Sequence, residues 1–221
     1  MKLPQSTAGS RPGMTQNRLF AVIPAAGESR RMGRAKLLLP WGADTVIGSL
    51  LAVLRPPEIF AAVVIVRPDD AALAAAVRQG GADVCLPATP PADMRRSVEL
   101  GLEYIRQRWQ PASNEGWLLI PADHPLLEAA PLRELVARWN HGSERILAPT
   151  HAGRRGHPTF FRWSLAAEVA ALPEGAGLNQ LVRAHAAEVG ECPVASPAVL
   201  LDLDTPEDYQ RLLAAQAPPC S

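Results

Sequence analysis

The sequence predicts a single α/β domain of Rossmann-like, three-layer type, with a mostly parallel sheet and a small hairpin or flap inserted late in the chain. Three observations carry that expectation. Short apolar runs alternate with helical segments from Leu19 onward. The runs lack the in–out alternation of a sheet with one wet face, so they read as strands covered on both sides. The chain has 221 residues at 48 % apolar content, enough for one sizeable core.

The elements follow in order. Met1 to Asn17 is rich in Ser, Thr, Gly, Pro and Gln and has no apolar stretch of a signal peptide, so it is expected to be a disordered tail. The domain then runs over 18–216, and 217–221 form a second short tail. Leu19 to Ile23 is the first strand. It ends in Pro24-Ala25-Ala26-Gly27 and an Arg-rich loop. Thr45 to Leu54 reads as a helix, stopped by Arg55-Pro56-Pro57 because proline has no N–H to continue it. Phe60 to Val66 is the second strand. Asp69 to Gln79 is an Ala-rich helix with Asp69 or Asp70 near its start and Gly80-Gly81 after it. Val84 to Leu86 is a short third strand, and Met94 to Trp109 a long amphipathic helix.

Trp117 to Ile120 is the fourth strand, leading into Pro121-Ala122-Asp123-His124-Pro125. Pro131 to Trp139 is a helix and Arg145 to Thr150 a strand. His151 to Phe161 places Gly153 and Gly156 between short extended pieces, the pattern of a hairpin or flap. Trp163 to Leu172 and Leu178 to Ala187 read as helices, and Val199 to Leu203 as a last strand. Pro206 to Ala215 closes the fold, with Thr205 as N-cap and Pro206 in the first helical position. In a parallel sheet of this kind the ligand lies beyond the carboxyl ends of the strands. The loops after Ile23 and Ile120 therefore carry most weight.

Composition excludes several function classes. There are 22 basic and 22 acidic residues and the pI is near 7.0, so no dominant basic surface serves a nucleic acid. No run of about 18 apolar residues is present to span a membrane. Cys85, Cys192 and Cys220 are odd in number, far apart and without a CxxC pair. That pattern fits a reducing cytoplasm and speaks against a disulfide framework or a thiolate zinc site. Twenty of the 22 basic residues are Arg, and Lys2 and Lys36 are the only lysines. Lys36 is either an accident of that bias or a place where a compact, mobile ammonium is needed.

The loop from Pro24 to Pro40 combines Ala25, Ala26 and Gly27 with Arg30, Arg31, Arg34 and Lys36. Small residues let the backbone approach a ligand with N–H groups facing phosphate oxygens, and the cations add charge. A triphosphate needs both; the alternative is a solvated Arg-rich loop. It is not a Walker loop, having no Gly-Lys-Ser or Gly-Lys-Thr, and not G-x-G-x-x-G. Asp123 follows an apolar strand in a loop bounded by Pro121 and Pro125, and a hard carboxylate there suits Mg²⁺. The plainer reading is a turn or cap aspartate. Asp202 and Asp204 are two apart on the expected last strand and so share a face. Because Asp204 adjoins Thr205 and can help cap the closing helix, Asp202 is the favoured second metal ligand and Asp204 the reserve.

The stretch Ala25 to Pro40 resembles, nearly residue by residue, the opening motif of the nucleotidyltransferases, L-A-A-G-x-S-x-R-M-G-x-x-K-L-L-L-P, with Pro24 in place of the first Leu. Four further segments resemble the family in order. They are Met94 to Leu102, where Asp93 replaces the usual glycine, Pro121 to Leu127, Arg154 to Pro158, and Asp202 to Asp208. The nearest branch is the molybdenum cofactor cytidylyltransferases. The resemblance implies attack of an acceptor oxygen on the α-phosphate of a nucleoside triphosphate, with loss of pyrophosphate and Mg²⁺ as cofactor. It also implies that Lys36 and Arg31 hold the triphosphate. Ala25, Ala26, Gly27, Ser29, Gly33 and Ser97 fall in its nucleotide-binding motifs, Ser97 being equally readable as a plain helix-start residue. His157 falls where an acceptor contact or a simple turn residue is expected, and His124 is assigned no chemistry.

Relatives with Ala-Ala-Gly in this loop tend to use CTP, so CTP is favoured. A small phosphorylated acceptor, with molybdopterin as the candidate, and a cofactor-receiving enzyme as partner are implied in the same way. Three rivals stand beside this reading. A sugar- or polyol-phosphate nucleotidyltransferase uses the same motifs. A glycosyltransferase would use Asp202-x-Asp204 but leave the Arg/Lys loop without a task. A non-catalytic nucleotide-binding module would have little reason to hold Lys36, Arg31, Asp123 and Asp202 together.

Overall fold

A computed structural model of the chain describes residues 17–27 and 35–216. The tails expected at 1–17 and 217–221 lie outside these residues, apart from Asn17. Four strands open the fold: β1 (Leu19–Pro24), β2 (Pro40–Trp41), β3 (Asp44–Thr45) and β4 (Ala61–Ile65). After them come β5 (Asp83–Cys85), β6 (Gly116–Leu119) and β7 (Ile146–His151). The last are β8 (Arg154–Arg155), β9 (Thr159–Arg162) and β10 (Val189–Pro193). The main sheet runs β10-β7-β9-β6-β1-β4-β5, with β8 paired to β7, and β2-β3 form a separate two-stranded ribbon. β1 pairs in parallel with β4 and β6, β4 with β5, and β7 with β10. Only β9, antiparallel to both β6 and β7, and the β8 hairpin break the pattern. The mostly parallel, Rossmann-like sheet is as expected.

β1 shows why three layers form. Leu19, Ala21 and Ile23 face one core, shared with α1 (Val46–Val53), α2 (Ala71–Gln79), α4 (Ala129–His141) and α7 (Pro206–Gln216). Phe20 and Val22 face the other, shared with α3 (Met94–Trp109), α5 (Ala166–Ala170) and α6 (Leu178–Ala184). Alternate residues of a strand point to opposite faces, so an all-apolar run needs helices on both sides. Side-chain caps start four of the helices: Thr45 accepts from the Gly48 N–H, Asp70 from Leu73 and Asp93 from Arg96. At α7 Thr205 Oγ1 accepts from the Asp208 N–H while Asp208 Oδ2 accepts from the Thr205 N–H, a reciprocal capping box.

Three expectations are corrected. Val199 to Leu203 is not a strand: Pro197–Leu200 form a 3-10 turn capped by Ser196, and 201–204 run on without a ladder. The same-face argument for Asp202 and Asp204 falls with it. The sheet edge is instead β10, missed because Val-Gly-Glu-Cys-Pro has no apolar run and is half-exposed, as an edge strand can be. The helices expected over Trp163–Leu172 and Leu178–Ala187 are the shorter α5 and α6, each joined to a 3-10 turn.

The β7–β8 hairpin turns through Ala152 (φ 49°) and Gly153 (φ 75°), both left-handed. It is not a free flap. The Gly156 N–H donates to the Pro149 carbonyl and the His157 N–H to the Val199 carbonyl, at 2.9 and 2.8 Å. A Cβ on Gly156 would sit 2.2 Å from the Val199 oxygen. Gly156→Ala is therefore expected to push the 197–200 turn away and cost about 1–3 kcal/mol. Chemical denaturation checks this, and an unchanged midpoint would show that the contact gives way freely.

Candidate functional site

A cleft of about 600 Å³ opens at the carboxyl ends of β1, β4 and β6. Its floor is Pro24, Ala25, Ala26 and Gly27 from the end of β1, and a Cβ on Gly27 would meet nothing within 4 Å. One wall is Pro121, Ala122 and Asp123 after β6. The opposite side is Arg67, Pro90 to Met94 and Ser97, between β4 and the start of α3. Lys36, Leu37 and Asp204 complete the lining.

The chemistry concentrates on Lys36. Its Nζ donates to Asp123 Oδ2 at 2.6 Å, to the Leu203 carbonyl at 2.8 Å and to Asp204 Oδ1 at 3.1 Å. The lysine side chain is 14 % exposed and that of Asp123 is 20 % exposed. Burial alone would lower the lysine pKa, but Asp123 and then Asp204 beside it outweigh that, and it stands above the ordinary value. The ammonium is thus firmly charged. Three segments far apart in sequence meet here because β1 and β6 are neighbours and the Leu203 N–H donates to the Asp123 carbonyl at 3.0 Å, tying 201–204 to the loop.

The predicted site residues divide as follows. Ala25, Ala26, Gly27, Lys36, Ser97, Asp123 and Asp204 line one cleft. Ser97 is 3 % exposed and its hydroxyl donates to the Asp93 carbonyl, tightening the first turn of α3. Ser29, Arg31 and Gly33 lie outside the described residues. Asp202 is exposed and does not line the cleft, whereas Asp204 lines it and meets Lys36. Nor does Asp204 cap α7 with its side chain, since Thr205 and Asp208 do that. Arg67 and the Pro90–Asp93 segment were missed. Arg67 was discoverable from its place just past the end of β4, where it pairs with Asp69 at 3.0 Å.

His157 does not line the cleft. The clamp of 156–157 onto Val199 turns its ring inward, edge-on to His124 at 5.2 Å, where neither Nδ1 has a partner. The acceptor contact expected of His157 is not among the contacts this packing gives it. Burial, with His124 close by, pushes the His157 pKa from the usual 6.5 down to about 4. His124 is 6 % exposed and burial lowers its pKa too. The sign follows. Between about pH 6.5 and 4 the unfolded chain binds a proton at residue 157 that the folded chain refuses, so stability falls as pH falls. The loss reaches about 3 kcal/mol below pH 4. Urea denaturation of wild type and His157→Gln across pH 4–7 should show the steeper loss in wild type; parallel curves would refute it.

A family model described as the MobA-like NTP transferase domain matches residues 21–189. The chain is 34 % identical over 162 residues to the bifunctional protein GlmU of Leifsonia xyli subsp. xyli (strain CTCB07). That match covers 68 % of this chain but only 31 % of the relative's length. The crystal structure of Rv0371c from Mycobacterium tuberculosis H37Rv is 29 % identical, with TM-score 0.76 over 89 % of this chain and 98 % of that one. Rv0371c in complex with manganese superposes with TM-score 0.72, at 29 % identity, over 90 % of this chain and 99 % of the other.

Proposed function

The chain belongs to the MobA-like NTP transferase family, and from that premise we propose that it moves a nucleoside monophosphate, CMP from CTP, onto a small phosphorylated acceptor with release of pyrophosphate. The observation that carries this is the meeting of Lys36, Asp123 and Asp204 at the carboxyl ends of β1 and β6. It supplies a mobile cation for a triphosphate and two hard carboxylates in one cleft. No strained nucleophile or covalent step is needed, because phosphoryl-type transfer is mainly positioning and electrostatic stabilisation.

The donor set fits a divalent cation. Asp123 Oδ2, Asp204 Oδ1 and the Leu203 carbonyl already converge on one positive centre, the lysine ammonium. All three are hard oxygen donors, suited to Mg²⁺ or Mn²⁺. Asp123 and Asp204 would hold the ion, which when bound offsets phosphate charge and orients the reacting phosphate. The chain's own residues do the rest. Pro24 to Gly27 let the triphosphate lie close to the backbone, and Lys36 carries charge to its oxygens. Arg31, by its place in the motif, grips the outer phosphates. Arg67, Asp93 and Ser97 bound the nucleoside side. His124, next to Asp123 in the chain, packs edge-on to His157 outside the cleft lining.

The favoured base rests on Ala25-Ala26-Gly27, and the pterin acceptor on the closeness of the motifs to the molybdenum cofactor branch. Among the described residues no helix is long and apolar enough to cross a membrane. The test is pyrophosphate release with Mg²⁺, offering CTP, GTP, ATP and UTP against molybdopterin and a set of sugar and polyol phosphates. Release with CTP and the pterin is the expected result. Release with another pair moves the enzyme to a sister branch. Nucleotide binding without release across the panel would favour a binding module.

A further inference from the structure

An ammonium has three protons to donate, and Lys36 uses all three: on Asp123, on Leu203 and on Asp204. None is left for a phosphate. The same three oxygens are those a divalent cation would take. We propose that Lys36 is a tethered counter-cation, seated between Asp123 and Asp204 until a triphosphate draws it away, so that nucleotide and divalent cation bind cooperatively and the cation binds poorly alone. This rests on the nucleotidyltransferase reading and goes beyond it by assigning an order to ligand binding.

The argument is one of charge and coordination. Two carboxylates aimed at one point repel each other unless a cation lies between them. Lys36 supplies one, at 14 % exposure, and so keeps the pair aligned without an ion. A divalent cation arriving alone must push this ammonium off three protein oxygens, two of them on carboxylates. That displacement opposes binding. A triphosphate reverses the balance, because its oxygens give the ammonium new acceptors as it leaves the carboxylates. It also completes a coordination shell that the described residues leave open. Among the described residues no three or more His, Cys, Asp or Glu side chains gather to hold a metal. Two carboxylates, waters and phosphates make the usual hard-cation shell. The residue type fits the same account. In a chain that uses Arg for 20 of its 22 basic positions, only a compact ammonium sits inside three convergent oxygens and still swings on a flexible stem.

The decisive measurement needs no turnover. Mn²⁺ is titrated by electron paramagnetic resonance into wild type and Lys36→Met, without nucleotide. Removing the resident cation is expected to tighten Mn²⁺ binding by about tenfold. In wild type, α,β-methylene-CTP and Mn²⁺ should each tighten the other's binding by a similar factor, and in Lys36→Met that mutual gain should collapse. Unchanged or weaker Mn²⁺ binding by Lys36→Met overturns the proposal. If that variant does not fold, the wild type answers directly. With lysine-selective ¹⁵N labelling only Lys2 and Lys36 give signals. The Lys36 signal should hold with Mg²⁺ alone and move with Mg²⁺ plus the analogue; an equal move with Mg²⁺ alone overturns the idea. Failure of the two readings is separable. Pyrophosphate release by wild type, with Mn²⁺ affinity unaltered by Lys36→Met, sinks only the counter-cation. No release by wild type, with Mn²⁺ binding tightened in Lys36→Met, sinks only the transferase.

Discussion

Asp123→Ala is expected to lower Mg²⁺-dependent pyrophosphate release by at least about 10²-fold, the scale seen when one preorganised electrostatic contact to a developing charge is removed. Asp123 is the carboxylate closest to Lys36, at 2.6 Å, and stands at the end of the central strand pair. The fold should survive. The bond that ties the loop to 201–204 runs through the Asp123 carbonyl, which alanine retains, and Lys36 keeps Leu203 and Asp204 as acceptors. A stability change within about 2 kcal/mol is expected, since the pair is only partly buried. Steady-state rates and a urea curve on the same preparation separate the two effects. Asp202→Ala, altering an exposed carboxylate outside the cleft, should lose far less. Full activity in Asp123→Ala would remove the metal assignment altogether.

Lys36→Arg keeps the charge and is expected to lose on the order of 10²-fold in kcat. A guanidinium is planar and presents its donors as a rigid fork, whereas the three acceptors converge on one point within 3.1 Å. The larger head has little room in a position that is 14 % exposed. It would splay Asp123 from Asp204 and reach the phosphates in the wrong place. A near-normal rate would mean that the lone internal lysine is a codon accident.

What the sequence made legible, and what it did not, divides along physical lines. β1 and α3 were readable because their signals are local: an unbroken apolar run for the first, and an amphipathic 16-residue helix for the second. The end of β1 and the loop after β6 were recognisable as site loops because a buried parallel strand can present a ligand only at its carboxyl end. β10 was not legible, because an edge strand is chosen by its partner β7 and not by its own composition. That Asp204 and not Asp202 lines the cleft was not legible either. That choice depends on 201–204 being irregular, which follows from the turn at Pro197–Leu200 and its clamp to Gly156 and His157. The Leu203 carbonyl had no signal at all, since every residue carries one and only the fold decides which one reaches Lys36.

The join between the loop after β6 and residues 203–204 also governs when the protein becomes competent during its synthesis. Chains leave the ribosome N-terminus first. Lys36 emerges early and Asp123 midway, but their remaining partners come just before the closing helix, 167 and 168 positions after the lysine. That helix adds Tyr209 and Leu212 to the core. A nascent chain halted before residue 203 would carry β1, β4 and β6 but neither Leu203 nor Asp204. The stretch after residue 200 thus both adds to the core and completes the cleft, so a chain halted before it lacks two of the three oxygens that hold Lys36.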